Sequence, residues 1–132
     1  MSPIARGRPI TELQVRELIS TAAAHGSEAE AIVRLLVLNG LRVSEVCGAE
    51  IADIRREPGG GRSLMICGKN GKYEAVALNA RTERAVLAAV GARTEGPIFR
   101  RQDGRRLRAS ADAPWAAYNR HAVYRLLTEL AH

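Results

Sequence analysis

Apolar residues recur at helical spacing over the first fifty positions of the chain. Thr11 begins a capping-box pattern, which predicts a first helix that ends at about His25. Ser27 and Glu30 repeat that pattern at the start of a second helix, which ends at Asn39-Gly40. The apolar face of this second helix consists of Ala31, Ile32, Leu35, Leu36 and Leu38.

The pattern changes character after the second helix. A short helix is predicted from about Val43 to Ala49, with Arg42 at its N-terminal edge. After a glycine-rich turn, residues 63–67 and 73–78 have the composition of strands, and the loop Gly68 to Lys72 between them is typical of a β-hairpin. Lys69 is expected at the tip of that hairpin.

Two further helices and a return to the core complete the expected fold. Asn79 is placed to cap a helix through Val90, and Pro97-Ile98-Phe99 then re-enters the core. A final helix begins near Asn119, with Ala122, Val123, Leu126, Leu127 and Leu130 as its apolar stripe. The predicted fold class is therefore mainly α with a small antiparallel β-sheet (α+β).

The length and composition of the chain indicate the number of domains and the net charge. The 132 residues suffice for one domain, preceded by a flexible basic arm at residues 1–10. The formal net charge is +6, and the stretch from Arg100 onward holds seven basic and three acidic residues. A basic C-terminal third fits a polyanionic partner, although charge alone also serves solubility.

Cysteine and hydropathy patterns exclude several classes of protein. Cys47 and Cys67 lack the spacing of a zinc site, so we expect reduced thiols in the core. No apolar run approaches the roughly 20 residues that span a bilayer, and the N-terminus lacks the apolar segment of a signal peptide. These features predict a cytoplasmic protein.

Arg42 and Lys69 are the candidate chemical groups. A guanidinium presents a rigid fork that holds two phosphate oxygens, whereas an ammonium is a compact charge with a transferable proton. Together they indicate handling of a phosphodiester. Two alternatives stay open: Arg42 could pair with Glu45 or Asp53 for packing, and Lys72 could replace Lys69 at the phosphate.

Residues 38–45, Leu-Asn-Gly-Leu-Arg-Val-Ser-Glu, resemble the first arginine box of the tyrosine recombinase (phage integrase) family, usually T-G-L-R-x-S-E. Each further match is weak alone, but the order and spacing agree across roughly Thr11 to Ala131. The other matching segments are Asp53-Ile54, the loop Gly68 to Lys72, Val76-Ala77-Leu78, Pro97-Ile98-Phe99 and Ala122 to Leu127. The resemblance implies the first part of a catalytic domain with the DNA breaking-rejoining fold.

The resemblance also implies a mechanism and its residues. In this family a tyrosine attacks a DNA phosphate and forms a 3′-phosphotyrosyl link, with no metal or cofactor. Carried over, Arg42 would grip the non-bridging oxygens, Lys69 would protonate the departing 5′ oxygen, and Glu45 would support the site unless it is only a surface charge. The implied partners are double-stranded DNA and other recombinase protomers. Further DNA contacts are expected at Lys72, Arg100, Arg101, Arg105, Arg106 and Arg108.

The sequence departs from the family pattern in its second half. No H-x-x-R occurs, and the resemblance aligns none of the three tyrosines, Tyr73, Tyr118 and Tyr124, with the nucleophile. We therefore expect residues 11–132 to be a partial integrase-like catalytic domain, a recombinase fragment that binds DNA phosphate and is inactive alone. Two other functions stay open: a non-catalytic DNA-binding module, and a helix-turn-helix regulator built on residues 31–50.

Overall fold

The structure is a computed structural model that describes residues 11–68, 70–100 and 105. Four α-helices and a three-stranded antiparallel sheet in the order β1-β2-β3 confirm the predicted fold class. The expected basic arm and the final helix lie outside the described residues. The elements are α1 (Glu12–His25), α2 (Ser27–Val37), α3 (Val43–Gly48), a 3-10 helix (Ile51–Asp53), β1 (Ile54–Arg56), β2 (Arg62–Cys67), β3 (Tyr73–Leu78) and α4 (Ala80–Val90).

Two helix starts follow directly from their capping residues. At α1, the Thr11 hydroxyl accepts a hydrogen bond from the Gln14 N–H at 3.0 Å, and the Gln14 side chain accepts one from the Thr11 N–H at 2.9 Å. At α4, the Asn79 side-chain oxygen accepts from the Thr82 N–H at 2.8 Å. Both predicted starts are confirmed, because each cap satisfies amide groups that have no partner within the helix.

The start and end of α2 differ from the prediction. Gly26, at φ 132°, is the residue that both ends α1 and precedes α2, so Ser27 is already helical and makes no capping hydrogen bond. Glu30 instead accepts from Arg34 Nε at 2.8 Å. The helix also ends at Val37, which leaves Leu38 44% exposed instead of on the buried face.

The sheet contains one strand more than the hairpin expected from the sequence. β1 pairs with β2 through Ile54 opposite Leu64, but its other two residues, Arg55 and Arg56, are exposed and carry no apolar signal. The β2–β3 hairpin is confirmed, with Cys67 opposite Tyr73 at its end.

The core lies between the helices and one face of the sheet. Phe99 and Ile98 are fully buried, which confirms that this segment re-enters the core. The Ile98 N–H donates to the Ala49 carbonyl at 3.0 Å, and the Arg93 guanidinium donates to the carbonyls of Pro97 at 2.6 Å and Ile98 at 2.8 Å. Arg93 therefore fastens the chain after α4 to the strand-like segment that closes the core.

The two cysteines differ in environment. Neither forms a disulfide in the described part of the chain. Cys47 is buried, whereas Cys67 is exposed at the end of β2. The prediction of a core thiol is therefore wrong for Cys67, because side chains alternate between the two faces of a strand and position 67 follows the buried Ile66.

Candidate functional site

Arg42 is the residue that precedes α3. Its backbone is extended, with φ −79° and ψ 153°, and its N–H donates to the Glu45 carboxylate at 2.7 Å. Since Glu45 occupies the third position of the helix, this is the backbone-directed half of a capping box. Glu45 therefore holds the arginine's main chain rather than its guanidinium.

The guanidinium of Arg42 is exposed and has no ion pair within residues 11–68 and 70–100. Both carboxylates that could have neutralised it bind backbone amides instead. Glu45 accepts from the Arg42 N–H, and Asp53 accepts from the Glu50 N–H at 3.0 Å. The described part of the chain therefore does not contain the ion pair of Arg42 with Glu45 or Asp53 that the sequence left open as an alternative.

Asn39 connects the arginine box to the sheet. Its side-chain Nδ2 donates to the carbonyl oxygen of Ala77 in β3 at 3.1 Å. Gly40 follows with φ 66°, a left-handed conformation that glycine adopts without strain, and the Leu41 N–H returns to the Leu35 carbonyl at 3.2 Å. The loop that carries Arg42 is thus tied to both α2 and β3, a contact that the sequence analysis did not anticipate.

The β2–β3 hairpin closes through a short glycine-containing loop. The Gly68 N–H donates to the Lys72 carbonyl at 2.8 Å, and the Gly71 N–H donates to the Gly68 carbonyl at 3.0 Å. Gly71 has φ 73°, the left-handed conformation expected after the turn in a three-residue hairpin loop. Lys72 is exposed, whereas Lys69 lies outside the described residues, so the choice between these lysines remains a prediction.

A cleft of about 280 Å³ separates α3 and the 3-10 helix from the hairpin. Glu45, Glu50 and Asp53 make one wall acidic, and Cys67 and Tyr73 belong to the opposite side. No group of three or more His, Cys, Asp or Glu residues in the described ranges is arranged to hold a metal ion. The cleft combines residues from 44 to 73, and sequence spacing gave no sign of it.

Arg100, the first of the basic residues after the core segment, lies apart from Arg42. Arg100 is exposed, and its backbone N–H and charge act on Glu28 in the first turn of α2, whereas Asn39 follows the other end of that helix. Nine helical residues separate these ends by about 14 Å. Arg105 is also exposed, and Arg101, Arg106 and Arg108 lie outside the described residues.

The pKa of the Glu28 carboxyl differs from its ordinary value. Partial burial raises the pKa of Glu28, and this effect exceeds the lowering by the Arg100 N–H and by the charges of Arg100 and Arg93. Because two cations face this carboxylate, it belongs to the packing between α2 and the chain after α4, and it takes no part in the Arg42 site.

The helices in the described part of the chain give no membrane-spanning candidate. None of them combines the length and the apolar composition that crossing a bilayer requires.

Comparison with known proteins gives a consistent result. Residues 8–125 match the family described as "Phage integrase family". Tyrosine recombinase XerC of Myxococcus xanthus is 40% identical over 70 residues, covering 53% of this chain and 22% of that protein. Tyrosine recombinase XerC of Pelobacter propionicus is 32% identical over 112 residues, covering 82% of this chain and 32% of that protein.

A solved structure agrees on the fold. The crystal structure of XerA recombinase superposes with a TM-score of 0.64 at 21% identity, covering 82% of this chain and 40% of that chain. The matched region thus spans 22% to 32% of the length of these curated relatives. Since the family match extends over most of the sequence and includes the arginine box and the hairpin, the chain belongs to the phage integrase family of tyrosine recombinases.

Proposed function

We propose that this chain acts in site-specific DNA recombination or integration, by binding a DNA phosphate through Arg42. The observation that carries the proposal is the exposed guanidinium of Arg42, which is free of ion pairs within the described ranges while Glu45 and Asn39 fix the backbone around it. An arginine held in this way has its whole donor fork available to an external oxyanion.

The proposed chemistry assigns one role to each residue. Arg42 binds the non-bridging oxygens and stabilises the negative charge that develops as the phosphate becomes pentacoordinate. Lys69, or Lys72 in its place, donates a proton to the departing 5′ oxygen. Glu45 is a positioning residue, because it acts through the main chain of Arg42.

Further contacts with the duplex are proposed for Arg100, Arg101, Arg105, Arg106 and Arg108. A stretch with five arginines supports binding to the DNA backbone, where cations release condensed counterions. Because Arg100 lies at the far end of α2, its contact would fall on a different phosphate from the one at Arg42.

The proposal for the 132 residues themselves is binding without covalent attachment. Two cations polarise a phosphate but do not form the phosphotyrosyl intermediate, and the sequence contains no H-x-x-R. A nicked duplex that traps the intermediate tests this: we expect no complex that survives denaturing electrophoresis. A covalent adduct on Tyr73, Tyr118 or Tyr124 would contradict it.

DNA binding tests the role of Arg42. We expect Arg42→Gln to weaken binding to duplex DNA and to lower the slope of log K against log salt by about one, the value for a single lost phosphate contact. Arg56→Gln removes the same charge from the exposed edge strand and serves as the control. An unchanged slope in Arg42→Gln would overturn the proposal, as would an equal loss in both variants.

The helix-turn-helix alternative has little support from the geometry. α3 has six residues, about 9 Å of helix, and buries Val46 and Cys47. The side chain of Glu45 is engaged with the backbone. Such a helix offers few side chains for reading base edges, so replacing Ser44 should leave any sequence preference unchanged.

A further inference from the structure

A second group of arginines lines a groove between α2 and α4, and none of the residues that line it belongs to the Arg42 site. The groove encloses about 400 Å³. α2 contributes Ser27, Glu30 and Arg34, which share one helix face, and α4 contributes Arg81, Arg84, Ala85 and Ala88, which also recur at helical spacing. Three guanidinium groups and one carboxylate therefore face a common space with an alanine floor.

Arg34 is the most unusual of these residues, because it is a buried cation. It is only 8% exposed, and its Nε donates to Glu30 at 2.8 Å. Within the described part of the chain, its two terminal nitrogens donate to no protein acceptor, and its side chain lines the groove with about a tenth of its surface exposed. The carboxylate thus fixes the orientation of a guanidinium that belongs to the wall of the groove.

The flanking arginines are exposed and have no ion pair within residues 11–68 and 70–100. Arg81 lies in the first turn of α4, where the helix dipole disfavours positive charge, and Arg84 follows one turn later on the same face. With Glu30 neutralising Arg34, the groove retains the charge of two guanidinium groups. An anion placed between Arg81 and Arg84 relieves the repulsion between their like charges. The planar guanidinium group suits a phosphate because it donates two hydrogen bonds to two oxygens of the anion.

From this arrangement we infer that the α2–α4 groove is a phosphate-binding site, formed by Arg34, Arg81 and Arg84. The phosphate comes either from the backbone of duplex DNA or from free phosphate in solution. The first source rests on the proposed function and extends the DNA footprint beyond Arg42; the second does not depend on it.

Two measurements on the full chain test the inference. In the first, inorganic phosphate is titrated at constant ionic strength while the backbone amide resonances of Ala85 and Ala88 are followed by NMR. We expect saturable shifts in the unmodified chain and at least tenfold weaker binding in the double variant Arg81→Gln/Arg84→Gln. The matched control, Arg55→Gln/Arg56→Gln, removes two charges from β1 and should bind as the unmodified chain does.

The second measurement is the salt dependence of duplex binding. If the DNA backbone supplies the phosphate, Arg81→Gln/Arg84→Gln should lower the slope of log K against log salt by about 1.8. If free phosphate is the ligand, the double variant should show the same slope as the unmodified chain, and the unmodified chain should still show the phosphate-induced amide shifts. Absence of both effects, or equal effects in the β1 control, would overturn the inference. Arg42→Gln should lose DNA contacts but keep the amide shifts, so failure of the proposed function remains distinguishable.

Discussion

The side-chain amide of Asn39 donates to the carbonyl oxygen of Ala77 at 3.1 Å, across 38 positions of sequence. One partner lies three residues before Arg42, and the other belongs to the strand that follows Lys72. This hydrogen bond links the loop that carries the arginine directly to the hairpin that carries the lysines. It therefore fixes the arginine loop against strand β3, an arrangement that exists only in the folded chain.

The Asn39 link is testable by removal of the donor. We expect Asn39→Asp to lower the free energy of unfolding by about 0.5 to 1.5 kcal/mol, because a carboxylate would face the Ala77 carbonyl without a proton to share. Urea denaturation measures this change. Asn70→Asp introduces the same charge at an exposed loop position and should be nearly neutral. Equal stability of both variants would show that the link contributes nothing.

Glu45 is predicted to act through its acceptor oxygen. Glu45→Ala should lower the free energy of unfolding by about 1 kcal/mol, since the Arg42 N–H loses its partner. Glu45→Gln keeps an acceptor and should retain most of the stability. For the positioning role, Glu45→Ala should also weaken duplex binding, and Glu45→Gln should restore it. Full binding by Glu45→Ala would leave Glu45 with a structural role alone.

Phe99 should be among the most sensitive positions in the core. The side chain is fully buried, so Phe99→Ala is expected to cost about 3 to 5 kcal/mol through lost burial and the cavity that remains. Phe99→Leu retains most of the volume and should cost less than about 1.5 kcal/mol. Thermal or urea unfolding of the two variants gives the comparison. Similar, small losses would show that this segment is not part of the core.

The raised pKa of Glu28 predicts a pH dependence of stability. A carboxyl that holds its proton more tightly in the folded state favours folding at low pH, and this contribution falls as pH rises from the ordinary value of 4.5 through the raised one. Glu28→Gln cannot ionise, so its stability relative to the unmodified chain should increase over that interval. Urea unfolding at pH 4 and pH 7 measures the difference. A difference that is constant with pH would contradict the assignment.

Several features were predictable because they depend on residues close together in sequence. The caps at Thr11 and Asn79 satisfy amides three positions away, and the glycine loop between β2 and β3 closes on itself. The resemblance around Arg42 is equally local. For such features the spacing of the residues along the sequence is enough to predict the geometry.

Other features were hidden because they depend on distant partners. β1 was missed since its three residues form a strand only by pairing with β2, and the capping box at Ser27 failed because Gly26 is shared by two helices. Cys67 is exposed because it lies on the face of β2 that points away from the core. The apolar residues around it in the sequence did not reveal which face it would occupy.

What the sequence by itself determined is the family, the order of helices α1 to α4 with the β2–β3 hairpin between them, and the residue types available for binding a phosphate. Only the tertiary structure decided that Arg42 is exposed with no ion pair within the described residues, whereas Arg34 is buried beside Glu30. The physical reason is that a hydrogen bond within one helical turn is fixed by spacing, whereas burial and charge pairing depend on which segments pack together. The sequence holds 20 basic residues, and folding selects those left available to an external anion.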